Sequence, residues 1–177
     1  VWFDRGGVSI LIYAITARKI RIIKSLLQSL DNKVISKTKR RRCLVSAIPR
    51  AGFVEAGITG KMNALSVAMF MSTPEVVEML LDQGFDPMLS DVAGNDPLMF
   101  SCFSNHIENV KYWLKRFPNW DLERTNHVVG GVALGCALYM GPNRLELTKL
   151  LLKLGAKPDT ESHAGGSALA AACSNED

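Results

Sequence analysis

Apolar positions along this chain recur as paired helical runs, most plainly between Gly60 and Leu98. Ala64-Leu65 opens one run, Val77, Leu80 and Leu81 form a second, Gly84 follows, and Pro97-Leu98 restarts the order 33 positions after Ala64-Leu65. Later copies carry Pro97-Leu98, Trp113-Leu114 and Phe117, then Ala133-Leu134, Leu151-Leu152 and Gly155-Ala156. Ala168-Leu169 opens another, and Gly7 to Ala14 with Ile23 and Leu26-Leu27 fits the same order at the start. A fixed period near 33 residues, built from two apolar runs and a glycine, predicts a helix-turn-helix unit that buries its apolar face by stacking on its neighbours.

The units predicted in this way are 1–30, 58–90, 91–126, 127–161 and a truncated 162–177. In the first, Gly7 to Ala17 supplies a turn and a helix. Ile22, Ile23, Leu26, Leu27 and Leu30 then predict a single buried stripe on a second helix over 20–30, because they recur at three- and four-residue steps. Ser72-Thr73-Pro74-Glu75 predicts another helix start, with Thr73 as cap and Pro74 in the first turn. Gly141-Pro142-Asn143-Arg144 separates the two helices of the fourth unit. From Leu11 to Leu65 the spacing is 54, which is 21 more than the period. Residues 31–57 are therefore expected to be an insertion in an inter-unit loop, where added length costs little.

Asp91-Val-Ala-Gly94-Asn-Asp-Pro97-Leu98 and Asp4-Arg-Gly-Gly7-Val-Ser-Ile-Leu11 resemble the opening of the ankyrin repeat signature, and Val77-Glu-Met-Leu80-Leu81-Asp-Gln-Gly84 resembles its end. The resemblance implies an all-α ankyrin-repeat solenoid with short β-hairpin-like turns. It also implies a non-enzymatic interaction module, a scaffold or adaptor that takes another protein or a peptide segment in its concave groove. Ile12, Ser66, Met99 and Gly135 stand where the signature has His, and Lys61 replaces the glycine that opens the second copy. Phe117-Pro118 stands where Gly-Ala is expected, so the preceding helix needs an ending other than the usual left-handed glycine. The chain reads as a piece of a longer protein, with its last apolar helix unpaired.

In that family the end of the first helix faces the groove together with the hairpin tips. Positions five and six past each signature Leu hold Thr16 and Ala17, Phe70 and Met71, Phe103 and Ser104, Tyr139 and Met140. Groove positions are usually polar or small, so Phe70, Phe103 and Tyr139 with Met71 and Met140 are expected to form a partner-binding strip. Val92, Ala93, Asn95, Val128 and Val129 on the hairpins are its expected neighbours. The alternative is that these rings pack between repeats.

Composition changes this picture little, but charge placement does. With 47% hydrophobic and 21% charged residues the chain is of ordinary folded type. Seven of its 21 basic residues fall between Lys33 and Arg50 with no acid among them, and the remainder holds 14 basic against 17 acidic residues. The net charge of +4 is thus local to the insertion. Lys37, Lys39, Arg40, Arg41 and Arg42 read as a solvated loop, a nuclear-import-like cluster or a phosphate-attracting patch. Without interleaved aromatics the run cannot specify a base sequence, so nucleic acid is not the expected partner. A regulatory ankyrin region of a larger enzyme, channel or signalling protein, or a nuclear factor using the basic insert, are the alternatives. The expected compartment is intracellular, cytoplasmic or nuclear.

No stretch reaches the roughly 18 apolar residues of a membrane helix. Cys102, Cys136 and Cys173 track the period and fall in first helices, which predicts packed core thiols rather than metal ligands. His127 and His163 fall at corresponding hairpin turns and His106 in a helix-helix turn, all expected to be exposed polar positions. No catalytic residue, metal or cofactor is expected.

Overall fold

The computed structural model describes residues 10–31, 45–47, 61–138 and 144–174. Its helices are α1 (Ile10–Thr16), α2 (Ile20–Asp31), α3 (Ala64–Met71), α4 (Pro74–Asp82), α5 (Pro97–Phe103), α6 (Ile107–Arg116), α7 (Ala133–Leu138), α8 (Leu145–Lys153) and α9 (Ala168–Ser174). Two short strands, β1 (Val45–Ala47) and β2 (Lys61–Asn63), lie between α2 and α3. The architecture is an all-α stacked repeat. α1, α3, α5, α7 and α9 form an inner layer in that order, each of the first four paired with the outer helix that follows it. In the outer layer α2 packs on α4 and α4 on α6.

The two layers follow from two patterns. Inner helices are apolar nearly all round: every residue of α5 is buried, as are Ala64 to Met69 of α3. Such helices belong between neighbours on both sides. Outer helices are amphipathic and bury one stripe each, Val76, Val77 and Leu80 on α4 and Asn109, Val110 and Trp113 on α6. On α2 the stripe is narrower than expected. Ile23 and Leu27 are buried and Leu26 is half-buried, but Ile22 is 49% exposed, because a step of about 100° per residue carries it off the face that meets α4. The Leu30 side chain lies outside the described residues.

Helix ends are set by local polar chemistry. Asn63 and Asp96 cap α3 and α5, accepting the backbone N–H of Ser66 and Met99 at 2.9 Å each. Thr73 occupies the cap position of α4 with Pro74 behind it, yet its buried hydroxyl makes no cap hydrogen bond, contrary to the expectation above. Gly84 (φ 80) and Gly155 (φ 96) follow α4 and α8 in the left-handed region. α6 ends otherwise: Phe117 keeps φ at −127 and donates its N–H to the Trp113 carbonyl. Its ring lies 4.7 Å from that of Trp113, which also meets Trp120 at 5.0 Å, so an aromatic cluster fixes this turn without glycine.

Polar side chains tie successive helix pairs together. The buried Asn109 amide on α6 donates to the carbonyls of Met69 (3.0 Å), Ser72 (3.1 Å) and Ala68 (3.3 Å) at the end of α3. Arg144 does the same for α5, donating to the Cys102 and Phe103 carbonyls. Among these acceptors, the Met69, Ser72 and Phe103 carbonyls are of the kind that a helix leaves unpaired at its C-terminus, whereas Ala68 and Cys102 also accept a backbone N–H.

Within the span 31–57, β1 returns to pair antiparallel with β2, Val45 opposite Asn63 and Ala47 opposite Lys61. This part of the expected insertion is therefore anchored on the strand that leads into α3. The basic run Lys37, Lys39, Arg40, Arg41 and Arg42 lies outside the described residues. Among the described residues, no helix is long and apolar enough to cross a membrane.

Candidate partner-binding groove

Three hairpin turns project from the inner layer, each closed by a backbone bond: Asp91 N to Asn95 O, Asn126 N to Gly131 O, and Ser162 N to Gly166 O. The Asp91 carboxylate shapes the first by accepting the N–H groups of Ala93 and Asn95 and the Asn95 side-chain amide. The turns then stack. His127 N donates to Ala93 O at 2.7 Å and His163 N to Val129 O at 2.9 Å, while Asn126 Nδ2 donates to Asn95 Oδ1.

Glycine permits this stacking. Gly94 and Gly130 hold φ of +83 and +67, and a Cβ on either would lie within 3 Å of the His127 or His163 ring. The two exposed histidines thus cover the glycines of the preceding turns. His106, half-buried before α6, is held below its ordinary pKa by desolvation and by the Arg18 charge.

Below the turns, Asp96 is buried at the start of α5 and meets Arg124 Nε at 3.2 Å. Burial raises its pKa, opposed by the Met99 N–H and the Arg124 charge. Farther along, the Glu123 carboxylate accepts the Lys157 N–H and the Thr160 hydroxyl, fastening one turn base to the next.

Between the turns and α5, α7 and α9 lies a groove of about 480 Å³. Phe103, Val132, Gly135 and Cys136 contribute to it from the inner layer, Val128 and Val129 from a turn tip. Among the described residues, no charged side chain lines it.

The expected strip is only partly assembled here. Phe103 lines the groove but is just 9% exposed, so most of its ring belongs to the core. Phe70 and Met71 pack against the core, Phe70 edge-on to Phe100 at 6.4 Å. Tyr139 and Met140 lie outside the described residues. Of the turn residues, Val92, Val128 and Val129 are exposed, whereas Ala93 and Asn95 are buried by the stacking of the turns, though both edge the groove. Gly135, Asn126 and Thr160 also line it and were not anticipated, because side-chain identity says little about which positions leave space.

Cys102 and Cys136 are buried free thiols whose pKa values are pushed up by burial, so they stay protonated and act as small apolar residues. Cys173 departs from that expectation. It is exposed on α9, over which no further helix packs among the described residues.

A family model described as ankyrin repeats (3 copies) matches residues 65–162, more than half of the chain. No curated protein matches it.

Proposed function

The chain belongs to the ankyrin-repeat family, whose members are generally protein-protein interaction modules, and on that premise we propose that it is a non-catalytic scaffold that binds a peptide segment of another protein in the groove between the turns and α5, α7 and α9. Support comes from Val128 and Val129, which are 65% and 55% exposed at the rim of a groove that no charged side chain lines among the described residues. Exposed apolar residues gathered at a concave surface favour a partner that removes them from water.

Peptides selected on this chain from a random display library test the reading. Val129→Asp places a carboxylate in the uncharged wall and should weaken the selected peptides about tenfold or more, in the range of an interface anchor. Equal binding to the variant and the unaltered chain would refute the groove as the site.

A further inference from the structure

The position after the leading leucine of each inner helix is filled and buried in the first three, by Ile12, Ser66 and Met99. In α7 the same register holds Gly135, and among the described residues a Cβ built there meets nothing within 4 Å. Its φ is not in the left-handed region, so the backbone does not require glycine. Glycine inside a helix is also less stable than alanine. What the missing side chain leaves is space, continuous with the groove that Gly135 lines.

Chemistry narrows what can enter. A charged group would lose its hydration among these residues with no partner to replace it. The polar groups of the wall are largely engaged already: the Asn95 amide with Asp91 and Asn126, the Asn126 carbonyl with the Val129 N–H, the Thr160 hydroxyl with Glu123, and the Ser167 hydroxyl with the Ala170 N–H. At about 480 Å³ the groove falls within the range, roughly 300 to 1,000 Å³, of pockets that enclose a small ligand.

We infer that the hollow over Gly135 is the specificity pocket of the groove, taking one bulky uncharged apolar side chain of the partner segment. This rests on the groove being the binding site. Gly135 acts by being absent, and the side chain that fits is the one that replaces the missing residue.

The test uses N-phenyl-1-naphthylamine, an uncharged apolar fluorophore, and library-selected peptides, each titrated into the unaltered chain, Gly135→Met and Val129→Asp. Gly135→Met introduces the kind of side chain that Met99 supplies on the preceding inner helix, α5. It should melt at or above the unaltered chain, yet bind the fluorophore and the peptides about tenfold or more weaker, as expected when a pocket for one apolar side chain is filled. Selected peptides should share a large apolar residue, and its replacement by Ala should equalise binding to the two chains. Should the Met side chain unsettle α7, Gly135→Ala adds a single methyl and should give a smaller loss in the same direction.

Unchanged binding to both Gly135 variants, with Val129→Asp still weakening the peptides, would overturn the pocket and leave the groove standing. Indifference to all three variants would remove the groove reading and this inference with it. A lower melting temperature for Gly135→Ala would show that the hollow is not free space, and would also overturn the assignment.

Discussion

Asn109→Ala should cost more than any other polar substitution between helix pairs. The amide is buried, and its two N–H groups serve three carbonyls of α3 at 3.0 to 3.3 Å. Its own oxygen has no partner, so truncation relieves one buried orphan while creating at least two at Met69 and Ser72. Each buried acceptor left unpaired costs about 1 to 3 kcal/mol, and a net gain of one such group gives a loss of about 1 to 3 kcal/mol. In a stacked repeat that loss falls on the interface between α3–α4 and α5–α6 rather than on the whole chain. Urea unfolding separates the two cases. Trp113 and Trp120 report by fluorescence on the α6 region, and far-ultraviolet dichroism reports on all helices. The variant should shift the fluorescence midpoint down and pull the two transitions apart, because a weakened interface breaks two-state coupling. Coincident transitions with a loss below about 0.5 kcal/mol, the range of an ordinary surface substitution, would refute the capping role.

Phe103→Ser should lower stability by about 3 to 5 kcal/mol, as truncation of a core aromatic does, and thermal unfolding checks it; an unchanged melting temperature would return this ring to the groove surface. Gly94→Ala forces a left-handed backbone at about 1 to 2 kcal/mol and pushes on the His127 ring, so a lower melting temperature is expected; no change would contradict the glycine requirement. Asp96 titrates above its ordinary 3.8. A carboxyl raised on folding contributes stability that is present below its unfolded pKa and lost as pH rises through the folded one. Asn caps helices equally well without titrating. The stability gap between the unaltered chain and Asp96→Asn should therefore shrink as pH rises from about 4 to neutrality; a widening gap would contradict the burial effect.

The repeat was legible because its signals are local and periodic. Leu65, Leu98 and Leu134 recur in register and are all buried, and Gly84 and Gly155 mark helix ends by a backbone requirement that any sequence displays. Contacts between units were not legible in the same way. Asn109 reads as an ordinary polar residue of an amphipathic helix until α3, 40 positions earlier, is placed beside it. Phe103 sits in the groove register, but its neighbours in three dimensions decide how much of the ring stays wet. Thr73 has the right type and position for a cap and lacks the bond, because hydroxyl geometry is settled by packing. The pairing of Val45–Ala47 with Lys61–Asn63 carries too short an alternating pattern to announce a strand. Gly135 was visible only as a departure from the signature; the space beside it shows only once the described residues are placed around α7.

Hydrogen exchange on the chain with and without a library-selected peptide tests the binding face most directly. Protection should rise at the turns 126–131 and 162–166 and along α7, while the outer helices α4, α6 and α8 stay unchanged. Protection confined to the outer helices would contradict the assignment of the groove as the surface through which this chain binds its partner.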